Sequence, residues 1–288
     1  MIGANIIITF TSVGGEQVAT APEETSRQTE EKWIDLRIMR GTTKGEQEPN
    51  SYRVPYAPGM VVLDAVRWVQ EHEEPDLAVR WNCKAAHCGS CGAEINGRPR
   101  LLCKTRVDEF GSTPFTVAPM KAFPLIKDLV TDVSWNYEVA KTIPPFKPAH
   151  NAPFTMYPED IERVKEFHKC IECFLCQDTC HVLREHQQFG KYYGPRFMTL
   201  IASYEMHPMD VEDRLPLLHG DAGVGMCNVT GCCTEVCPQG IHITENAIIP
   251  LKERVADRYY DPLKKWLYNR QQKRKQTKEA PQQDEGVR

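Results

Sequence analysis

The sequence contains no long apolar run and no strong excess of charge of either sign. No stretch among its 288 residues approaches the ~20 consecutive apolar residues of a transmembrane helix, so we expect no membrane-spanning segment. Lys and Arg together number 35 against 39 Asp and Glu, which gives a net charge of -4. A slightly acidic chain is not attracted to phosphate backbones, and the sequence therefore indicates no nucleic-acid partner.

Targeting and catalytic signals are also scarce. Residues 6–10 are apolar, but no positively charged region precedes them and acidic residues follow, so the sequence predicts neither a signal peptide nor a transit peptide. The sequence has no nucleotide-binding loop and no arginine cluster suited to an acidic substrate. We therefore assign no catalytic residue to this chain.

Cysteine is the residue type that the sequence has in excess, with 12 in total. In the first group, Cys83-x4-Cys88-x2-Cys91 is closed by Cys103, which is the plant-type spacing for a [2Fe-2S] cluster. Gly89 fits a loop that needs positive φ beside the sulfides. A four-cysteine zinc site is the alternative, although zinc sites usually use Cys-x2-Cys pairs. We predict a [2Fe-2S] cluster on these four cysteines.

A second cysteine pattern is written twice, and the second copy lacks one cysteine. In bacterial two-cluster ferredoxins, the fourth cysteine of each copy ligates the other cluster. The first copy is Cys170-x2-Cys173-x2-Cys176-x3-Cys180, and the same offsets from the next motif give Cys227, Thr230, Cys233 and Cys237. We therefore predict a [4Fe-4S] cluster on Cys170, Cys173, Cys176 and Cys237. The remaining three thiolates suit a [3Fe-4S] cluster on Cys180, Cys227 and Cys233.

One cysteine, Cys232, is left over by this assignment. We interpret it as a small buried apolar residue beside Cys233. The alternative is that Cys232 supplies a fourth ligand in place of Thr230, although adjacent residues rarely reach two irons of one cluster. Disulfide bonds and a zinc site are competing interpretations of the cysteines in the second half of the chain.

The pattern of apolar residues predicts an α+β protein with two cluster-binding domains. Residues 1–31 are polar and acidic, which predicts a disordered arm. Residues 32–122 are predicted to form a β-grasp ferredoxin domain. Its expected elements are strands at 34–38, 51–56 and 77–81 and a helix at 61–69.

The second half of the chain is predicted to be all-α, like a bacterial ferredoxin with two cubane-type clusters. Residues 123–158 are predicted to be a connector, because five prolines lie between 143 and 158. Residues 159–265 form the predicted helical domain, and residues 266–288 a disordered tail. The helices expected within that domain are 159–169, 197–204 and 246–260.

This order of domains and motifs resembles the iron–sulfur subunit of succinate dehydrogenase and fumarate reductase. The resemblance covers about residues 33–265. The stretches that carry it are Asn96-Gly97-Arg98, residues 123–130, Cys170-Ile171-Glu172-Cys173 and Cys233-x3-Cys237-Pro238. Residues 173–176 and His181 look most like bacterial enzymes of actinobacterial type.

The resemblance implies that the chain transfers electrons within a succinate:quinone oxidoreductase. Electrons pass from succinate at an FAD-containing flavoprotein subunit through the three clusters to a quinone beside the [3Fe-4S] cluster. The implied partners are that flavoprotein and a membrane-anchor cytochrome b subunit, which carries haem b in some members. The implied location is the cytoplasmic side of the bacterial cell membrane, as a peripheral subunit.

Two positions depart from the pattern of this family. His181 follows Cys180 where proline is frequent, and Asn228 follows Cys227 where histidine is frequent. We therefore expect a quinone site built mainly by the anchor, with menaquinone as its quinone. The alternative functions are a fumarate reductase subunit that works in reverse, a zinc-stabilised scaffold and a free ferredoxin carrier.

Overall fold

The computed structural model of the protein describes residues 32–149 and 155–279. Within these residues the strands are β1 (Trp33–Arg40), β2 (Glu48–Pro55), β3 (Gly92–Ile95), β4 (Arg98–Leu101), β5 (Phe115–Ala118), β6 (Leu125–Lys127) and β7 (Val130–Thr131). The α-helices are α1 (Val62–His72), α2 (Ser134–Thr142), α3 (Pro158–Lys165), α4 (Leu175–Asp178), α5 (His181–Arg184), α6 (Pro195–Glu205), α7 (Leu215–His219), α8 (Cys232–Glu235), α9 (Ile249–Tyr259) and α10 (Pro262–Glu279). A π-helical turn, Ile243–Ile248, leads into α9.

A five-stranded mixed sheet forms the first half of the fold, in the order β2-β1-β5-β3-β4. β1 pairs antiparallel with β2 and parallel with β5, and β3 lies antiparallel between β5 and β4. Alternate residues of β1 (Ile34, Leu36, Ile38) are buried, as expected of a strand with one face on a core. The apolar face of α1, which includes Val62 and Val66, belongs to the same core. This arrangement is the β-grasp outline that the sequence predicts.

Helices form the second half, around a separate core. α6 contributes Ile201 and Ala202, and the π-helical turn and α9 contribute Ala247 and Leu251, all fully buried. Phe174 and Leu175, which come from the helical half, belong to the core of the sheet half. The predicted α+β fold class is confirmed, and the two halves share buried side chains.

Several predicted elements differ from the observed ones. Residues 77–81 are not a strand, because the Ala78 amide donates to Asp128 Oδ2 at 2.9 Å and its carbonyl accepts from the Leu129 amide at 3.2 Å. The predicted connector 123–158 is not irregular throughout, since β6, β7 and α2 lie in its first half. The helix predicted at 159–169 is α only in α3 and ends in a 3-10 turn at Phe167–Lys169.

The prediction of a disordered tail from residue 266 is wrong up to residue 279, because α10 continues to Glu279. Asp261 Oδ1 accepts the amides of Leu263 and Lys264 at 2.9 and 3.0 Å, which satisfies donors at the start of the helix. The residues that follow are mostly strong helix formers, without Gly or Pro. The predicted arm 1–31 and residues 280–288 lie outside the described residues. Within the described ranges, no helix has both the length and the apolar character needed to cross a membrane.

Candidate iron–sulfur cluster sites

The loop that begins at Cys83 directs its backbone amides towards sulfur. The amides of Ala85 and His87 each donate to Cys83 Sγ at 3.4 Å. Lys84 and Ala86 have φ of 56° and 57°, a region that costs a non-glycine residue about 1–2 kcal/mol. Amides that surround a sulfur in a strained loop are the environment that an iron–sulfur cluster requires.

The other three thiols of the first group lie beside this loop. Cys91 and Cys103 flank the β3–β4 pair and are buried, and the Cys103 amide donates to Cys91 Sγ at 3.5 Å. Burial raises the pKa of Cys91 to about 12. Burial also tends to raise the pKa of Cys88. Hydrogen bonds from Ser90 and Cys83 have the larger combined effect, however, and lower that pKa to about 6. Buried thiolates are stable only beside a cation, so this donor set fits iron.

The second group of thiols lines one cavity. Its cysteines are the four predicted for the [4Fe-4S] cluster: Cys170, Cys173, Cys176 and Cys237. Cys237 belongs to the second sequence copy, yet it lies with the first three, as the shared-motif arrangement requires. The Ile241 amide donates to Cys237 Sγ at 3.4 Å. Burial raises the pKa of Cys173 to about 12, so a thiolate at this position would need a cation beside it, which fits an iron ligand.

The third group brings Cys180 together with the thiols of the second copy. Burial raises the pKa of Cys180 to about 11 and that of Cys233 to about 12, and in both cases the neighbouring thiols Cys232 and Cys227 add to the increase. The hydroxyl of Thr244 lies 3.2 Å from Cys233 Sγ. Cys180, Cys227 and Cys233 therefore lie near one another and do not line the cavity of Cys170, Cys173 and Cys176.

The backbone of the third site repeats that of the second site. Glu172 and Phe174 follow Cys170 by two and four residues and have φ of 56° and 60°. At the same offsets from Cys227, Val229 and Gly231 have φ of 57° and 80°. Positive φ is a genuine outlier for a β-branched valine and persists only where the surroundings enforce it. The second copy therefore retains a cluster-binding loop although threonine replaces its second cysteine.

Comparisons with known proteins agree with these sites. Residues 35–138 match the model of the 2Fe-2S iron-sulfur cluster binding domain, and residues 166–241 match that of the 4Fe-4S dicluster domain. The fumarate reductase iron–sulfur subunit of Haemophilus influenzae is 32% identical over 231 residues, which cover 72% of this chain and 88% of that protein. The corresponding subunit of Mycobacterium tuberculosis is 32% identical over 218 residues, with 72% and 87% covered.

A solved structure is also similar. A chain of the Mycobacterium smegmatis Sdh1 complex in the apo form is 52% identical and superimposes with a TM-score of 0.78, covering 81% of this chain and 99% of that one. This chain belongs to the iron–sulfur subunit family of succinate dehydrogenases and fumarate reductases. The family predicted from the cysteine motifs is thereby confirmed, together with the electron-transfer role of the subunit and its [2Fe-2S] and [4Fe-4S] domains.

The two residues predicted to depart from the family pattern contact each other. Asn228 Nδ2 lies 3.2 Å from His181 Nε2, and the two residues directly follow Cys227 and Cys180 of the third site. Cys232, the cysteine left over, lies 3.3 Å from the Thr230 hydroxyl, measured from Sγ to Oγ1. Sequence reasoning identified each of these residues but not the pairs, because no spacing rule connects His181 with Asn228.

The contact between the two halves of the subunit is centred on a buried acid. Glu94 of β3 is completely buried and accepts from both terminal nitrogens of Arg184, at 2.5 and 3.3 Å. Asp178, at the end of α4, is also buried, and its Oδ1 accepts from the Ala122 amide at 2.9 Å. Arg184 is thus engaged in a contact inside the subunit.

Replacing Arg184 with alanine is expected to destabilise the subunit by about 3–5 kcal/mol, because the buried Glu94 carboxylate would lose its hydrogen-bonded cation and keep only the exposed Lys121 Nζ at 3.8 Å. The measurement is thermal unfolding of the cluster-loaded protein. The control is Arg53→Ala, whose ion pair with Asp35 is 4.0 Å long and exposed, so that about 0–1 kcal/mol is expected. Equal losses in the two variants would contradict the assignment of Arg184 to a buried pair.

The stability of this contact is expected to decrease as the pH rises. Burial raises the pKa of Asp178 from 3.8 to about 7. The hydrogen bond from the Ala122 amide lowers this pKa, and the charge of Glu94 raises it further. Between these values the folded chain binds more protons than the unfolded chain, so stability falls from about pH 4 to about pH 7. Asp178→Asn cannot ionise and should melt at a higher temperature than the wild type at about pH 8, with a smaller difference at about pH 5. A pH-independent difference would argue against this titration.

Proposed function

We propose that this subunit passes single electrons from an FAD-containing flavoprotein, which oxidises succinate, to a membrane quinone. The observation that carries the proposal is the third site, which has the backbone of a cluster loop but threonine at one ligand position. Three cysteine thiolates at such a loop suit a [3Fe-4S] cluster. The proposed order is [2Fe-2S], then [4Fe-4S], then [3Fe-4S] beside the quinone.

The ligand assignment is part of the proposal. The proposed ligands of the [2Fe-2S] cluster are Cys83, Cys88, Cys91 and Cys103. Those of the [4Fe-4S] cluster are Cys170, Cys173, Cys176 and Cys237. Those of the [3Fe-4S] cluster are Cys180, Cys227 and Cys233. The amide donors to Cys83 Sγ and Cys237 Sγ and the buried thiols support these sets.

The chain's own residues hold the three sites in a fixed series. Gly89, in the loop of the first site, packs directly on the backbone of Cys173 in the second site. Cys176 is the second residue of α4, and Cys180 lies two residues beyond the end of this helix, so α4 connects the second site to the third. The bound clusters supply the one-electron chemistry, and the protein sets their separation, burial and hydrogen bonds.

The proposed partners are the flavoprotein, which holds the succinate site, and a membrane anchor that carries cytochrome b-type haem in some members of the family. Met226 and Val229, which lie beside Cys227, are each 39% exposed, and an apolar surface next to the third site supports an anchor and a quinone there. We place the subunit on the cytoplasmic side of the bacterial cell membrane and propose menaquinone as the quinone.

Metal analysis and EPR spectroscopy of the complex purified anaerobically from its native membrane test this function. We expect about nine irons per subunit, the sum for the three clusters, and a three-iron signal in the oxidised state. A flavoprotein and an anchor should co-purify, with menaquinone among the extracted lipids. Zinc instead of iron, or a chain that purifies alone with all clusters, would overturn the proposal. Faster fumarate reduction than succinate oxidation would reverse the assigned direction.

A further inference from the structure

A tyrosine beside the third site has a hydroxyl group with no hydrogen-bond partner. Tyr192 is fully buried, and among the described residues nothing accepts from or donates to its hydroxyl with acceptable geometry. A buried hydroxyl is normally paired, since leaving it unpaired forfeits the hydrogen bonds that it makes in water. An exception in the interior of this subunit calls for a functional explanation.

The backbone of Tyr192 is fixed by a hydrogen bond and by close packing. Its amide donates to the Gln188 carbonyl at 3.0 Å. Gly223, at φ +58°, packs so closely that a Cβ there would lie 1.8 Å from the Lys191 carbonyl oxygen and 3.4 Å from Tyr192 Cα. The glycine thus permits a close approach of two chain segments, and the position of the tyrosine is fixed by packing.

Tyr192 belongs to the same buried core as Cys180 and Cys233 of the third site, and Cys227 packs against that core. Burial raises the pKa of Tyr192 well above its usual value, and the neighbouring thiols Cys227, Cys180 and Cys233 raise it further. A tyrosine hydroxyl has an ordinary pKa of about 10, so it is a neutral O–H donor at physiological pH. Cys227 is the thiol with the largest effect on this pKa. Its Sγ also accepts from the Val229 amide at 3.4 Å, and the Thr244 hydroxyl lies 3.2 Å from Cys233 Sγ.

We propose that the Tyr192 hydroxyl donates a hydrogen bond to a sulfur atom of the third cluster, either Cys227 Sγ or an adjacent sulfide, and thereby raises the midpoint potential of this cluster. The inference rests on the proposed presence of a cluster at this site. Reduction adds one electron to the cluster and increases the negative charge on its sulfur atoms, and a donor at sulfur stabilises that charge. The tyrosine keeps its proton throughout, so no other bond changes. In a buried site without competing water, the effect of such a donor is at its strongest.

An EPR-monitored redox titration of the purified complex tests this inference with Tyr192→Phe. We expect a lower midpoint potential for the third cluster, unchanged potentials for the other two and unchanged iron content. The control is Tyr193→Phe, which removes the neighbouring hydroxyl that lies 3.1 Å from Thr142 Oγ1, and should leave all three potentials unchanged. A third cluster that is present and titrates as in the wild type in Tyr192→Phe would overturn the inference.

Two further measurements distinguish this inference from competing explanations. If the hydroxyl has no acceptor, Tyr192→Phe removes an unpaired polar group and should raise the melting temperature of the complex, whereas a donor to the cluster predicts no such gain. If Tyr192→Phe fails to assemble, 3-fluorotyrosine placed at position 192 keeps the ring and strengthens the donor, and should raise the potential of the third cluster. An unchanged potential there would overturn the inference as well. Absence of a third cluster from the wild-type complex would instead overturn the proposed function.

Discussion

Replacing Gly89 with alanine is expected to destabilise the subunit by about 2–5 kcal/mol. Gly89 has φ of +70°, which costs an alanine about 1–2 kcal/mol. Its Cβ would also lie 2.7 Å from Cys173 Cα and 2.8 Å from Cys173 Cβ, so the backbones of two cluster loops must move apart, and such overpacking adds about 1–3 kcal/mol. Because these loops carry successive clusters, we also expect slower electron transfer between the first and second clusters.

Thermal unfolding checks the predicted loss of stability. Freeze-quenched EPR checks the predicted rate, because it follows reduction of the [4Fe-4S] cluster after the [2Fe-2S] cluster is reduced. Gly97→Ala is a matched control, because Gly97 has φ of +74° but nothing lies within 4 Å of an added Cβ. It should show only the backbone cost of about 1–2 kcal/mol and no change in electron transfer. Equal losses of stability and unchanged transfer in both variants would show that the approach of Gly89 to Cys173 is unimportant.

The sequence predicts the chemistry of this subunit more completely than its contacts. Cysteine ligands occur at spacings set by the cluster, so the three thiol groups were predictable, as was the need for positive φ at Gly89. The contact of Gly89 with Cys173 was not, because these residues lie in different domains and no local pattern relates them. The Glu94–Arg184 pair was missed for the same reason. The position of Tyr192 was missed because no local pattern relates it to the cysteines of its own domain.

Two errors of secondary structure have local causes. Apolar and polar residues alternate at 77–81 as they do in a strand. The Ala78 amide, however, donates a hydrogen bond to Asp128, and this tertiary contact overrides the strand pattern. In α10, the charged and Gln-rich composition suggested disorder, yet the same residues are strong helix formers that follow a capping Asp261. Composition alone does not distinguish a solvated helix from a disordered segment.

Replacing Thr230 with cysteine is expected to convert the third cluster from three irons to four. The flanking residues Val229 and Gly231 have φ of 57° and 80°, which repeat the values of 56° and 60° on either side of Cys173. The backbone therefore already places residue 230 as it places Cys173, and only the thiolate is missing. A fourth thiolate completes the ligand set of a [4Fe-4S] cluster, so iron content should rise from about nine to about ten, and the three-iron EPR signal should disappear.

Two control variants decide whether the position or the thiol determines this result. Thr230→Ser retains a hydroxyl and should keep the three-iron signal, because a hydroxyl is a poor replacement for a cysteine thiolate in these clusters. Cys232→Ala addresses the thiol that lies 3.3 Å from Thr230 Oγ1, and it should also leave the signal unchanged. A wild type that lacks the three-iron signal, together with a Cys232→Ala variant that shows it, would identify Cys232 as the fourth ligand. The fourth thiolate would then come from position 232 rather than from position 230.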